Sequence, residues 1–160
     1  MSKRLEEIDW QHTALGTISL RRRLEPTTKV DVYEVKLGEE FLMSSLFTVA
    51  EIELARLGLA AVVAGRAEGL DVVVGGLGLG YTAVAALEDD RVRTVTVVEA
   101  LAPVISWHER QLLPDTAALT TDPRTTLLEG NFFALARDGD GFGPAPDRLH
   151  AILLDIDHTP

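Results

Sequence analysis

The spacing of apolar and polar residues divides the chain into two parts of different character. Between Gly16 and Ser44 the two kinds of residue alternate in short runs, among them "GTISLRRRL" and "KVDVYEVKL", and turn residues separate these runs. A period of two is typical of strands that bury one face. The pattern predicts a small antiparallel β-meander, and we assign residues 1–45 to it as an N-terminal domain.

The period becomes helical after the meander. In "SLFTVAEIELARLGLAAV" the apolar residues recur three and four positions apart, which is the spacing of one helix face. We predict a linking helix within residues 46–66. Glycine is common just past the end of a helix, so Gly58 or Gly65 is expected to end this one.

Strands and helices alternate in residues 67–160. Continuous apolar runs are expected to form four strands, at 70–76, 92–100, 124–130 and 150–157. The segments "YTAVAALED", "PVISWHERQLL" and "NFFALAR" have helical patterns and lie between these runs. Strands that are apolar on both faces and alternate with helices are typical of βαβ units. The predicted fold class is therefore α/β, with a mostly parallel, Rossmann-like sheet behind the meander.

Composition narrows the kind of protein. The chain has 160 residues, 46% of them apolar, a net charge of −10 and no cysteine. Phosphate binding depends on cationic side chains, so this charge disfavours a nucleic-acid partner. Without cysteine there is no disulfide or thiolate metal site, and we expect no metal. No apolar run reaches the roughly 20 residues of a membrane span, and no signal peptide is evident, so a cytoplasmic protein outside the membrane is expected.

Two further groups of residues are expected to serve structure or solubility. Arg21, Arg22 and Arg23 form a basic cluster that we place on a solvated or subunit-contacting hairpin edge rather than at an anion site. In the helix "PVISWHERQLL", Trp107 is expected to pack against the core and His108 to face solvent.

Glycines follow the first strand of the core, in "DVVVGGLGLGY". Glycine lets a backbone approach a ligand closely, and the helix that follows offers unpaired N–H groups. Glu99 ends the next strand about 20 residues after Gly80, the distance at which an acidic residue binds ribose hydroxyls in such folds. The motif lacks the Gly-Lys-Ser/Thr of a P-loop, and Tyr81 does not match the third glycine of a dinucleotide fold. These features predict a nucleoside site that does not bind nicotinamide.

Four segments resemble, in order and spacing, the core of the spermidine synthase family within the class I S-adenosylmethionine-dependent transferases. They are "VVVGGLGLGY", "VTVVEALAPVISWHERQLLP", "DPRTTLLEGNFFAL" and "HAILLDIDHTP". The meander and "LFTVAEIEL" are similar to that family's N-terminal domain and linking helix, so the resemblance extends over residues 16–160. It implies a Rossmann-like class I methyltransferase fold.

The resemblance implies a site for S-adenosylmethionine or its decarboxylated form. Glycines would line the amino-acid end of this cofactor, and Glu99 would hold its ribose. The family usually has an aspartate that binds the adenine amino group where this chain has Asn131, which keeps an acceptor. The implied cofactor residues are Gly76, Gly78, Gly80, Glu99, Gly130 and Asn131.

Asp155, at the end of the fourth strand, matches the family's catalytic aspartate. Aminopropyl transfer needs an uncharged amine, which arrives protonated at neutral pH. A carboxylate both orients this ammonium group and accepts its proton. Asp157 and His158 follow and would assist as substrate-binding residues.

Departures from the family pattern bear on the substrate. Of the family's Tyr-His-Glu segment in the linking helix only Glu51 persists, as a further substrate-binding residue, because Val49 and Ala50 replace its neighbours. Leu79 stands where the family has an aspartate thought to hold the primary amine of the decarboxylated cofactor. Loss of that anion favours intact S-adenosylmethionine.

We therefore expect a spermidine-synthase-like transferase that acts on a small molecule, with a polyamine as the implied acceptor. The alternatives are a small-molecule methyltransferase that uses S-adenosylmethionine and a non-catalytic nucleoside-binding protein. The family's sheet continues beyond the fourth strand, so the chain is expected to be a fragment or to have that strand edge covered by another chain. The meander mediates subunit contact in the family, which implies a homodimer.

Overall fold

The chain divides into two units, Met1–Thr48 and Val49–Pro160. Each unit contains a four-stranded sheet. The separate linking helix expected at 46–66, between domains at 1–45 and 67–160, stays a prediction. Among the described residues, no helix has the length and apolar character to cross a membrane. The computed structural model describes residues 5–62, 69–138, 141–146 and 148–156.

The first unit is an antiparallel sheet in which each strand pairs with the next along the chain, which confirms the predicted meander. Leu20 lies opposite Val35, and Val35 lies opposite Met43. Leu20 and Val35 are buried, as the alternating pattern predicts. The strands are β1 Leu5–Thr13, β2 Gly16–Leu24, β3 Asp31–Leu37 and β4 Glu40–Ser44.

The structure adds a strand, β1, ahead of the predicted start of the meander at Gly16. Its sequence, "LEEIDWQHT", has several charged residues and no regular apolar alternation. β1 is an edge strand that pairs only with β2, and none of its residues is fully buried. Because neither face of this strand is fully covered, its sequence does not need the pattern by which a strand is recognised.

The three arginines of the basic cluster are neutralised within the first unit. Arg21 Nη2 lies 3.0 Å and Arg23 Nε lies 2.6 Å from the carboxylate oxygens of Glu34, whose side chain is only 9% exposed. Arg22 Nη2 lies 2.5 Å from Glu6 Oε2 on β1. These ion pairs favour the expected hairpin-edge role over an anion site, since each guanidinium group already binds a carboxylate of this unit.

The second unit is a parallel sheet with helices between its strands, which lie in the order β7 (Thr125–Glu129), β6 (Val92–Glu99), β5 (Leu70–Gly75) and β8 (Ala151–Leu154). This arrangement confirms the predicted α/β fold class. A 3₁₀ helix at Pro114–Thr120, absent from the sequence prediction, precedes β7. The other elements are α1 Val49–Ala60, α2 Tyr81–Leu87, α3 Ala102–Glu109 and α4 Phe132–Asp138.

Burial separates the central strands of this sheet from the outer ones. β5 is buried at every position, and β6 is buried from Val95 to Glu99. The outer strands β7 and β8 are partly exposed, with Ile152 51% and Leu154 47% accessible. The expectation of strands covered on both faces therefore holds for the central pair only.

Gly58 does not end α1, which runs through it to Ala60. A Cβ at Gly58 would lie 2.5 Å from Leu153 Cδ2 on β8. A larger residue at this position would therefore require the Leu153 side chain to shift. Gly65, the other expected helix end, lies outside the described residues.

Asp71 on β5 is a buried carboxylate at the end of the sheet opposite the glycines. Its side chain is 2% exposed. Arg93 Nη2 donates to Oδ2 at 2.5 Å, and Thr94 Oγ1 donates to Oδ1 at 2.8 Å. The hydrogen bond from Arg93 is the main cause that lowers the pKa of Asp71 from its ordinary value of 3.8. These bonds offset the cost of removing the charge from water.

We predict that Asp71→Asn lowers the free energy of unfolding by about 2 kcal/mol at pH 7, because the buried partners lose an ionised acceptor. Since the pKa of Asp71 is lowered in the folded state, its contribution to the free energy of unfolding is fully present above pH 3.8. That contribution is lost as the pH falls through the folded-state pKa. Urea unfolding at several pH values measures both effects. The exposed Glu109→Gln is the control, and equal stability of both variants would contradict this account.

Candidate functional site

The turn from β5 to α2 is built from glycines with left-handed backbone angles. Gly76, Gly78 and Gly80 have φ values of +95°, +49° and +90°. Side chains with a Cβ rarely adopt these angles, so the backbone itself requires glycine at these positions. We call residues Gly75–Gly80 the glycine loop.

The glycine loop packs directly against the residue that follows β8. The N–H of Asp155 donates to the carbonyl oxygen of Gly75 at 2.7 Å. A Cβ at Gly76 would overlap the carbonyl oxygen of Asp155 and lie 2.8 Å from its carbonyl carbon. The sequence predicts a ligand as the reason for these glycines, whereas the nearby Asp155 backbone already explains the missing side chain at Gly76. The cofactor roles of Gly76, Gly78 and Gly80 stay predictions.

His108 lies beneath the loop, and the expectation that it faces solvent is wrong. His108 is 2% exposed and lies on the buried face of α3. Trp107 lies on the same face and packs in the core, as expected. His108 Nε2 lies 2.9 Å from the carbonyl oxygen of Gly78, so it carries the proton and donates. Burial lowers the pKa of the imidazole, which favours the neutral ring. A Cβ at Gly80 would lie 2.7 Å from His108 Cε1, which explains that glycine as well.

Glu99 ends β6, as the sequence predicts, and its carboxylate holds the glycine loop from the neighbouring strand. Oε2 accepts the N–H of Leu77 at 3.0 Å and that of Gly78 at 3.5 Å. Oε1 accepts the N–H of Leu101 at 2.8 Å. Two carboxylate oxygens offer about four acceptor sites, so Oε1 retains capacity for a further donor. This geometry suits a ribose hydroxyl, and that role of Glu99 stays a prediction.

The predicted adenine residues follow β7 at the same edge of the sheet. The N–H of Gly130 donates to the carbonyl oxygen of Glu99 at 2.9 Å, which places the two strand ends side by side. Asn131 Oδ1 accepts the N–H of Ala134 at 3.0 Å and so caps α4. Asparagine just before a helical run is a known capping signal, and it predicts this role from the sequence. The binding of adenine by Gly130 and Asn131 stays a prediction.

Thr82 on α2 brings together two of the predicted site residues. Its Oγ1 lies 2.5 Å from Asp155 Oδ2 and 3.3 Å from the carbonyl oxygen of Glu51. Thr82 is 2% exposed. The alanine-rich sequence "YTAVAAL" gave no reason to select this residue. Asp157 and His158 lie outside the described residues, so their roles stay predictions.

Glu51 lies in the first turn of α1. Its Oε2 is buried and has no hydrogen-bond partner among the described residues. A buried carboxylate oxygen without a donor is costly, and a bound cation or hydrogen-bond donor would remove that cost. No cluster of three or more metal-ligating side chains occurs in the described part of the chain.

Leu79 is an apolar member of the loop and is 6% exposed. Its carbonyl oxygen accepts the hydroxyl of Thr116 at 2.9 Å. Thr116 thereby joins Glu99 and His108 as a third side chain that fixes the loop. The leucine side chain has no group that could bind an ammonium ion.

Solved spermidine synthases have the same fold as this chain. The enzyme from Thermotoga maritima matches with a TM-score of 0.72 and 17% identity, over 96% of this chain and 48% of that one. A spermidine synthase in complex with the transition state analogue AdoDATO matches with a TM-score of 0.70 and 18% identity, over 93% and 47% of the two chains. The chain thus has a spermidine synthase-like fold and spans about half the length of these structures. No protein-family model matches it, and no curated protein matches it in sequence.

We predict that Gly76→Ala lowers the free energy of unfolding by about 3 kcal/mol or more, because strain from the positive φ and overlap with Asp155 add together. Gly38→Ala is the matched control, since Gly38 also has a positive φ but no atom lies within 4 Å of its added Cβ. That control should lose only about 1 kcal/mol. Equal losses in urea unfolding would show that the approach of Asp155 to the loop is unimportant.

Proposed function

We propose that the chain binds the nucleoside part of S-adenosylmethionine or its decarboxylated form at the glycine loop and takes part in aminopropyl transfer to a small amine, with a polyamine as acceptor. The observation that carries this proposal is the position of Asp155. Its backbone touches Gly75 and Gly76, so a carboxylate stands beside the loop that would hold the donor substrate. A base and a nucleoside site are thereby adjacent.

The groups at the strand ends suit such a nucleoside. Glu99 Oε1 has acceptor capacity for a ribose hydroxyl beyond its bond from Leu101. Gly130 lies beside Glu99, and Asn131 follows at the same edge. Ligands of open α/β sheets bind beyond the carboxyl ends of the strands, which is where these residues lie. One of the solved relatives with this fold is in complex with AdoDATO, which supports the decarboxylated form as donor.

Aminopropyl transfer requires an activated carbon on the donor and an uncharged amine on the acceptor. The donor supplies a carbon activated by a neighbouring sulfonium, and the amine nitrogen forms a bond to that carbon as the carbon–sulfur bond breaks. Asp155 would orient the incoming ammonium group and accept its proton, so that an uncharged amine attacks. The products are a neutral thioether, protonated Asp155 and a secondary ammonium ion, which carries the positive charge that the sulfonium had.

The unpaired oxygen of Glu51 supports a cationic acceptor. Glu51 Oε2 is buried without a donor among the described residues, and the carbonyl oxygen of Glu51 lies 3.3 Å from the Thr82 hydroxyl that contacts Asp155. An ammonium group would supply the missing donor and neutralise the charge. A polyamine has such groups at intervals along its chain, so it is the acceptor class that we favour.

Leu79 supports a second candidate, transfer of a methyl group from intact S-adenosylmethionine. Its side chain is 6% exposed and apolar, so it neither holds an amine nor repels a carboxylate. The solved relatives are about twice as long as this chain, so transfer by the whole protein is itself part of the proposal. Homodimerisation, a cytoplasmic location and the absence of a nucleic-acid partner also stay predictions.

We predict that Glu99→Gln weakens the binding of methylthioadenosine at least tenfold, because an amide offers a ribose hydroxyl one acceptor oxygen in place of two. Glutamine has the same shape, but its amide NH2 would face a backbone N–H that Glu99 now accepts, so urea unfolding is measured beside the affinity. Isothermal calorimetry gives the affinity, with Glu109→Gln as the control. Unchanged affinity in a folded Glu99→Gln protein would remove Glu99 from the site.

We predict that Asp155→Asn keeps the affinity for methylthioadenosine within about threefold but lowers the rate of transfer from decarboxylated S-adenosylmethionine to putrescine at least a hundredfold. Asparagine keeps an oxygen for Thr82 but cannot accept the amine proton. Release of methylthioadenosine measures the rate. Full activity in this variant would exclude Asp155 as the base, and absence of transfer by the wild-type chain together with nucleoside binding would favour a non-catalytic or methyl-transfer role.

A further inference from the structure

Thr82 is a buried polar residue in an otherwise apolar helix. It lies in the first turn of α2, and its neighbours in "YTAVAAL" are mainly alanine. A β-branched residue is a weaker helix former than alanine, so local helix stability does not explain its presence. Threonine hydroxyls inside helices commonly bond to their own helix. The hydroxyl of Thr82 instead lies against Asp155 and Glu51, which are outside this helix.

The hydroxyl of Thr82 has one proton, and the geometry assigns it to Asp155. Oγ1 lies 2.5 Å from Asp155 Oδ2, whereas the carbonyl oxygen of Glu51 is 3.3 Å away. Both neighbours are acceptors only, and the shorter distance marks the hydrogen bond. A hydroxyl that donates to a carboxylate makes one of the stronger hydrogen bonds in proteins.

The rest of Asp155 is already fixed by the sheet and the glycine loop. Its N–H donates to Gly75 at 2.7 Å, and its carbonyl oxygen lies against Gly76. Only the rotation of the side chain remains to be set, and Thr82 sets it by binding Oδ2. Among the described residues, Oδ1 is then the oxygen that remains for a substrate.

We propose that Thr82 is a positioning residue that orients the Asp155 carboxylate, with Oδ2 held by the hydroxyl and Oδ1 presented to the incoming amine. The catalytic consequence rests on the proposed function, whereas the orientation of the carboxylate does not. Thr82 acts through Asp155 and has no assigned contact with the donor. Its loss should therefore affect the rate of transfer and not the affinity for a nucleoside.

Thr82→Val tests the proposal because valine has the same shape and lacks the hydroxyl. We expect kcat for aminopropyl transfer to putrescine to fall about tenfold or more. The affinity for methylthioadenosine should stay within about twofold. Thr82→Ser restores the hydroxyl and should restore kcat to within about threefold of the wild type. A Thr82→Ser protein as slow as Thr82→Val would contradict positioning by the hydroxyl.

Thr94→Val is the matched control. The hydroxyl of Thr94 also donates to a buried aspartate, Asp71, at 2.8 Å, but at the opposite end of the sheet. We expect this variant to keep kcat within about twofold of the wild type. An equal loss of kcat in both variants would show that Thr82 acts only through general stability.

Carbon-13 NMR of the aspartate carboxyl groups supplies a readout that does not depend on activity. Signals of Asp155 and Asp71 are assigned from their loss in Asp155→Asn and Asp71→Asn. At pH 7.5, Thr82→Val should shift the Asp155 signal and leave the Asp71 signal unchanged. Thr94→Val should shift the Asp71 signal and leave the Asp155 signal unchanged. An unmoved Asp155 signal in Thr82→Val would overturn the proposal. If the wild type lacks transfer activity while the signal moves as expected, the proposed function fails and the positioning role of Thr82 stands.

Discussion

The close approach of Asp155 to Gly76 is the contact on which the candidate site depends. It joins the end of an outer strand, β8, to the turn after the central strand β5, and it leaves no room for a side chain at Gly76. The hydrogen bond from the Asp155 N–H to Gly75 continues the pairing of β5 with β8 to the same point. The backbone of Asp155 is therefore placed by packing against the turn, and its position follows from the sheet itself.

The remaining parts of the site depend on that turn having one conformation. Glu99 accepts N–H groups from it, His108 donates to it, and Thr116 donates to its Leu79 carbonyl oxygen. These three side chains come from β6, α3 and the 3₁₀ helix, so the loop is held from several sides. A loop fixed in advance binds a ligand without a large loss of conformational entropy. The same reasoning extends to Asp155, whose carboxylate Thr82 holds at 2.5 Å.

The sequence predicts elements in which burial is uniform or alternates regularly, because burial determines the apolar pattern. It does not predict contacts between residues that are far apart in the sequence. β5 and β6 were predictable because a central parallel strand is buried on both faces and is therefore apolar throughout. The place of Glu99 at a strand end was predictable from the apolar run over residues 92–100, which ends there. β1 was not predictable, since an exposed edge strand needs no apolar pattern. The burial of His108 was not predictable either, because it depends on the fold of a loop 30 residues away. Thr82 and Asp155 are 73 residues apart, so only the three-dimensional structure shows that they touch.

The central claim is that this loop and carboxylate serve transfer from a decarboxylated nucleoside donor to an amine. Calorimetric titration of the wild-type chain with decarboxylated and with intact S-adenosylmethionine tests it most directly. We predict that both bind at the glycine loop and that the decarboxylated form binds at least as tightly as the intact form, since Leu79 neither holds an amine nor repels a carboxylate. Tighter binding of the intact form would contradict aminopropyl transfer and favour methyl transfer, and binding of neither would contradict the assignment of a nucleoside site.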